Sequence, residues 1–134
     1  MPREDASFPY VRQRRILALG TTLAVGMLIG FVTLTPVNMP QGMPVSDKFW
    51  HMVAFAALTF PAALIYRRAC RWVAPLALLY GVAIELIQPH VGRSGELADV
   101  YADAFGALLG LALGMVINEY LIRPAARRRL ARDG

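Results

Sequence analysis

The sequence predicts an all-α integral membrane protein, folded as a bundle of four transmembrane helices. The chain of 134 residues is 57% hydrophobic, above the roughly 45–50% of soluble domains, and its mean hydropathy is +0.46. Its apolar residues fall into four segments, at about residues 16–35, 48–66, 70–88 and 98–122. Because a chain of this length has room for one domain, residues 1–134 are expected to form a single membrane domain.

The first apolar segment is long enough to cross a hydrocarbon core of about 30 Å. No small-x-small cleavage site follows it, so we expect a retained anchor rather than a cleaved secretory signal. Residues 36–46 then contain three prolines and no charged residue. This composition predicts a short loop or a re-entrant turn before the second helix.

Polar residues mark the outer ends of the second and third segments. Asp47, His51 and Phe55 are spaced four apart, so they share one face at the start of the second helix. Three arginines between residues 67 and 71 form a basic hinge to the third segment, which ends with Glu85 and Gln88. Both segments therefore carry carboxyl, imidazole or amide groups at one end.

The fourth segment combines carboxylates and glycines on one helical face. Asp99, Asp103, Gly106, Gly110 and Gly114 follow one another at intervals of four, three, four and four residues. The three glycines are predicted helix-packing positions, because glycine lets a neighbouring helix approach closely. The two aspartates lie on the same face, so we expect them to point into the bundle rather than into lipid.

The distribution of basic residues predicts the orientation. Twelve of the fourteen Lys and Arg residues lie near the termini or in the hinge, and the opposite loops carry only Lys48 and Arg93. The positive-inside rule then places both termini in the cytoplasm, with basic tails at residues 1–15 and 123–134. Anionic lipid explains these tails more simply than nucleic acid does, so we expect membrane lipids as partners and no nucleic acid.

This topology gathers the polar ends of three helices at the outer face of the membrane. The predicted ligand-binding residues are Asp47, Lys48, His51, Glu85, Gln88, Arg93, Asp99 and Asp103. Together with Glu96, this layer holds five carboxylates and two fixed cations, so some carboxyls should be protonated, solvated or paired with a bound cation. His51, Glu85 and Asp99 are suitable metal ligands, but no short ligand motif supports a metal, and neither metal nor cofactor is predicted.

At these positions the sequence resembles the VanZ-like family of small bacterial membrane proteins, over roughly residues 20–120. The resemblance rests on D-K-x-x-H, E-x-x-Q, an arginine, an acidic residue and G-x-x-x-G, which stand at Asp47, Lys48 and His51, Glu85 and Gln88, Arg93, Asp99, and Gly106 and Gly110. Asp103 departs from the pattern, because the family usually has Asn there. The resemblance implies the bacterial inner membrane and the cell envelope, with teicoplanin (glycopeptide) resistance in one member, and implies no established reaction.

Three functions fit the polar layer. A non-enzymatic protein would bind an envelope lipid or cell-wall precursor, with Lys48 and Arg93 meeting phosphate or carboxylate. A membrane enzyme would act on a lipid-linked or cell-wall substrate, with His51 as base and Glu85 or Asp99 as acid or orienting group; no Ser or Cys nucleophile motif accompanies them. A structural layer would pair His51 with Asp47 or Glu85. The oligomeric state is not predicted.

Overall fold

The computed structural model describes residues 11–36 and 46–133, which are helical almost throughout. The helices are α1 (Val11–Leu34), α2 (Asp47–Ile65), α3 (Cys70–Ile87), α4 (Leu97–Ile117) and α5 (Arg123–Asp133). Single 3-10 turns at Arg67–Ala69 and Gln88–Val91 extend α3 at both ends, and a π-helical turn at Asn118–Ile122 joins α4 to α5. The described ranges contain no strand.

Four helical stretches are long and apolar enough to cross a membrane. They are Val11–Leu34, Asp47–Ile65, Arg67–Val91 and Leu97–Arg128. The predicted fold class, an all-α protein with four transmembrane helices, is therefore confirmed for the described residues. The expectations for residues 1–10 of the basic lead and for residues 37–45 of the loop fall outside the described ranges.

Helices α2 and α4 form the tightest contact of the bundle, along the glycine face of α4. A Cβ atom on Gly106 would collide with the carbonyl oxygen of Met52, and one on Gly110 with the carbonyl oxygen of Ala56. A Cβ on Gly114 would lie 2.8 Å from the carbonyl oxygen of Phe60. The absence of side chains on these residues is therefore what lets the two backbones touch.

Buried polar groups at this contact hydrogen-bond across it. Thr59 Oγ1 donates to the carbonyl oxygen of Ala107 at 2.8 Å. One turn beyond Gly114, the side-chain amide of Asn118 donates to the carbonyl oxygen of Leu64 at 2.6 Å. Since an unpaired polar group in hydrocarbon is costly, these bonds tie α2 to the end of α4 as well as satisfying the donors.

Helices α1 and α3 pack on the outside of this pair. Ile29 of α1, Phe55 of α2 and Ile84 of α3 belong to one buried apolar cluster. Tyr80 reaches from α3 to α1, where its hydroxyl donates to the carbonyl oxygen of Gly26 at 2.6 Å. Apolar contacts thus hold α1 and α3 in the bundle, with few polar contacts between these helices.

Large apolar side chains cover the outside of the helices. Phe31, Leu86 and Leu108 are each more than 60% exposed, and similarly exposed apolar residues occur along all four long helices. Exposed apolar surface of this extent is unusual in soluble monomers. It is the surface expected of helices that face lipid hydrocarbon.

Candidate functional site

The site lies where α2 and α4 begin, because both helices start at the same end of the bundle. Ser46 caps α2, where its hydroxyl oxygen accepts from the backbone N–H of Phe49 at 3.4 Å. Asp47 and His51 occupy the first two turns of α2, and Asp99 and Asp103 occupy the first two turns of α4. The close contact of the two helices therefore sets two pairs of polar side chains face to face.

His51 and Asp103 form a buried pair across this contact. Nδ1 of His51 lies 2.9 Å from Oδ1 of Asp103, and the two side chains are only 5% and 1% exposed. In the neutral imidazole with this partner, Nδ1–H donates to the carboxylate and Nε2 keeps its lone pair. Nε2 faces Asp47, whose Oδ2 is 3.8 Å away. The pair thus fixes the orientation of the ring.

Lys48 lies between two carboxylates at the outer edge of the site. Its Nζ donates to Oε2 of Glu96 at 2.9 Å and lies 3.4 Å from Oδ1 of Asp99. Glu96 is in the loop outside the transmembrane segments, and the hydrogen bond and charge of Lys48 lower the pKa of its carboxyl. Lys48 and Glu96 are about half exposed, whereas Asp99 is buried.

Glu85 and Gln88 form a second polar group beside this one, at the end of α3. Oε2 of Glu85 accepts from the backbone N–H of Glu96 at 2.7 Å, which ties α3 to the start of α4. With its amide turned so that the nitrogen faces the carboxylate, Gln88 donates to Glu85 at 3.2 Å. Both carboxylate oxygens of Glu85 are then within reach of donors from the protein.

Arg93 stands apart from the carboxylates. The turn before it closes on Gly92, which adopts a φ of 79° that favours glycine. The Arg93 guanidinium donates to the carbonyl oxygen of Val32 on α1 at 3.3 Å. In the described part of the chain, no carboxylate lies within ion-pair distance of Arg93.

Two buried carboxylate oxygens of α4 accept no hydrogen bond from any described residue. They are Oδ1 of Asp99 and Oδ2 of Asp103. Lys48 is close to the first, but its ammonium is not aligned for a hydrogen bond. Buried polar atoms are nearly always paired in proteins, so these two mark the site as incompletely satisfied by its own residues.

A groove of about 350 Å³ leads from the site into the membrane between α1 and α2. Asp47, His51 and Arg93 line the end of the groove at the polar site. Further in, its walls are apolar and include Leu28 and Ala57. The groove therefore connects charged groups at the membrane surface with the hydrocarbon layer.

A family model described as VanZ/LLP1 matches residues 15–118. This chain belongs to the VanZ/LLP1 family. No curated protein and no solved structure matches it. The matched range contains every residue of the polar layer.

Within this VanZ/LLP1 domain, the eight predicted ligand-binding residues separate into three groups. Five of them meet at the α2–α4 contact, namely Asp47, Lys48, His51, Asp99 and Asp103. Glu85 and Gln88 form the neighbouring group, with an oxygen of Glu85 within 4.8 Å of ligand atoms of His51 and Asp103. Arg93 belongs to the groove.

One expectation for His51 is wrong in detail. A structural role was expected to pair it with Asp47 or Glu85, whereas its close partner is Asp103 and Asp47 is at 3.8 Å. The reason is the glycine contact. The backbone carbonyl of Met52 packs against Gly106, and this contact places Asp103, one turn before Gly106, next to His51. The shared face of Asp103 and the glycines indicates that Asp103 lies against a neighbouring helix, but it does not specify which residue of α2 it meets.

Proposed function

We propose that this VanZ/LLP1 protein binds the anionic headgroup of an envelope lipid or lipid-linked cell-wall precursor at the outer face of the bacterial inner membrane. The observation that carries the proposal is the groove between α1 and α2, which is charged at its outer end and apolar below. An amphiphile with an anionic head and a hydrocarbon chain matches both ends of such a groove.

Arg93 is the group best suited to meet the headgroup. It lines the groove, and its guanidinium contacts only a neutral carbonyl within the described residues. Lys48, by contrast, is engaged by Glu96 and Asp99. Guanidinium groups bind phosphate and carboxylate through two parallel hydrogen bonds, which favours Arg93 as the anion-binding residue.

The apolar part of the groove supports a lipid rather than a free anion. Its walls come from α1 and α2, and α1 is mostly exposed along its length. The hydrocarbon chain of a lipid lying there would cover apolar surface that already faces hydrocarbon. We propose that both termini are cytoplasmic, since this orientation puts the charged end of the groove at the outer leaflet. Binding there would link the protein to teicoplanin tolerance.

The proposal is tested by measuring lipid binding to purified protein in detergent. The probes are a fluorescent polyprenyl-diphosphate cell-wall precursor, a polyprenyl phosphate, an anionic phospholipid and inorganic phosphate. Charge-assisted hydrogen bonds contribute about 1.5–3 kcal/mol each, so Arg93→Gln should weaken binding of the preferred lipid roughly 10-fold to 150-fold. Arg12→Gln, at the opposite end of α1, is the matched control and should leave affinity unchanged.

The pattern across the probes decides between sources of the headgroup. Preference for the precursor over the phospholipid supports a role with cell-wall intermediates, and the reverse preference supports a general envelope lipid. Equal binding of all probes by wild type and Arg93→Gln would contradict the proposal.

An enzymatic role is the alternative, and the buried His51–Asp103 pair favours it. A carboxylate on Nδ1 and a free Nε2 give the arrangement of a general base with its orienting group. Glu85 or Asp99 would then act as acid or orienting group. Conversion of the labelled precursor by wild type, abolished in His51→Gln, would establish this role.

A further inference from the structure

Three side chains at the start of α2 and α4 converge on one point. One ligand atom each from Asp47, His51 and Asp99 lies within 4.8 Å of the others. Ligand atoms about 2.0–2.2 Å from a shared ion in a tetrahedral site are roughly 3.3–3.6 Å apart. The separation of 3.8 Å between His51 Nε2 and Asp47 Oδ2 is slightly longer than that. Side-chain shifts of up to about 1 Å would bring all three ligand atoms to tetrahedral separations around one ion.

Asp99 provides a second, separate observation. It is 97% buried, from an exposure of 3%, and its Oδ1 accepts no hydrogen bond from the residues that the structure describes. Its charged neighbour Lys48 donates to Glu96 and lies 3.4 Å from Asp99 Oδ1 without donating to it. Asp99 therefore shares one cation with Glu96 and keeps a buried oxygen without a donor, which a bound ion would satisfy.

The ring of His51 is held in the way that metal-binding histidines are held. Such histidines bind the ion with one ring nitrogen and donate the N–H of the other to a carboxylate or carbonyl oxygen. Asp103 supplies that carboxylate at Nδ1, and Nε2 is left facing Asp47. Asp103 would thus act as a positioning residue rather than as a ligand.

We infer that Asp47, His51 and Asp99 form a binding site for a divalent transition-metal ion. Because the charge of Lys48 is balanced by Glu96, the two carboxylates and a neutral imidazole leave a net charge of −2, which a divalent ion neutralises. Mixed nitrogen and oxygen ligands suit Zn²⁺ or Mn²⁺ better than Ca²⁺ or Mg²⁺, which prefer oxygen alone. The inference stands on these contacts and does not rest on the proposed lipid function.

A competing set of ligands is less well suited. An oxygen of Glu85 lies within 4.8 Å of ligand atoms of His51 and Asp103. However, Glu85 Oε2 already accepts from the backbone N–H of Glu96, and Asp103 Oδ1 already faces the histidine Nδ1. Asp47 is about half exposed and borders the groove, so an ion bound there would keep positions open for water or an anionic group.

The test measures metal binding to the full chain in detergent after removal of bound metal with a chelator. Equilibrium dialysis against Zn²⁺ or Mn²⁺ should give one ion per chain, bound in the presence of excess Mg²⁺. Asp47→Asn, His51→Gln and Asp99→Asn should each weaken binding by more than about 100-fold. Asp103→Asn retains an oxygen acceptor for Nδ1–H. Its metal affinity should fall roughly 10-fold, the low end of the effect of losing a hydrogen-bond partner of a metal ligand.

Glu85→Gln separates the two sets of ligands, because it removes the carboxylate of the competing set and leaves Asp47, His51 and Asp99 in place. Its metal affinity should stay within about threefold of wild type, a smaller change than the loss of a ligand's hydrogen-bond partner causes. Asp47→Asn is the decisive variant, since Asp47 is exposed and its substitution leaves the core intact. Full binding by Asp47→Asn, loss of binding in Glu85→Gln, or no stoichiometric binding by wild type would each overturn the inference.

Discussion

Lys48 serves two carboxylates that differ in their exposure to water. Glu96 is about half exposed and accepts the short hydrogen bond, whereas Asp99 is buried and receives only the more distant charge. Exposed ion pairs contribute little to stability because water and salt screen them. The contact between Lys48 and Glu96 therefore matters more for the position of the ammonium beside Asp99 than for the free energy of unfolding.

The pH dependence of stability should reveal the Lys48–Glu96 pair. Because the pKa of Glu96 is lowered in the folded protein, the pair stabilises the fold above the ordinary glutamate pKa near 4.5 and loses this effect as the pH falls through the lowered value. Glu96→Gln should reduce the unfolding midpoint slightly at neutral pH and leave it unchanged at the acid end. Thermal unfolding of both proteins in detergent between pH 7 and pH 3 measures this. An equal difference at every pH would contradict it.

Single residues also show where prediction from the sequence reaches its limit. The layer of polar residues could be predicted, because four segments that cross the membrane one after another bring the polar ends of the second, third and fourth to the same face. The partner of His51 could not, because the choice among Asp47, Glu85 and Asp103 depends on how far α2 and α4 are shifted along each other. That shift is set by three-dimensional packing, which the spacing of residues along one helix does not specify.

The helices themselves were largely predictable, since the length and hydropathy of each segment are local properties. Their ends were less so. Helix α1 already includes Val11, Arg12 and Arg14, ahead of the apolar segment at residues 16–35. Hydropathy marks the part of a helix that can lie in hydrocarbon, whereas helical hydrogen bonding continues into the polar flank. The same reason explains why residues 123–133, predicted only as a basic tail, form helix α5.

The glycine face of α4 should be intolerant of even one methyl group. In Gly106→Ala the new Cβ would meet the backbone carbonyl of Met52, which cannot rotate away as a side chain could. Overpacking of this kind costs about 1–3 kcal/mol, and denaturant titration in detergent measures it. Gly20→Ala is the control, because a Cβ atom at this position of α1 would meet no neighbouring group within 4 Å; its effect should stay within about 1 kcal/mol. Equal effects of the two substitutions would contradict the packing argument.

The whole molecule presents lipid-facing apolar surface with charge confined to its two ends. At the end opposite the polar site, Glu119 accepts from Arg67 at 3.1 Å and from Arg123 at 2.7 Å. These contacts join the basic hinge before α3 to the turn after α4. The two ends therefore differ in character, since one is rich in arginine and the other in carboxylates.

This asymmetry predicts the topology in the cell. Positively charged flanks are retained in the cytoplasm during insertion, so both termini and the arginine hinge should be cytoplasmic. Alkaline phosphatase fused after Gly134 should be inactive, and the same reporter inserted at Ser94 should be active. Activity of the C-terminal fusion would rule out four spans with cytoplasmic termini. Expression of each fusion, measured by immunoblot, is the control.

The carbonyl groups of Met52, Ala56 and Phe60 face glycines that are also spaced four residues apart, and Leu64 faces Asn118 at the same interval. The two helices can therefore slide along each other only by a whole step of four residues, about 6 Å. His51 and Asp103 lie at one end of this contact and Asn118 at the other. A bulky side chain in place of any of these glycines would push the two helices apart at both ends of the contact, so the polar site can be disabled from deep inside the membrane without altering any of its own side chains.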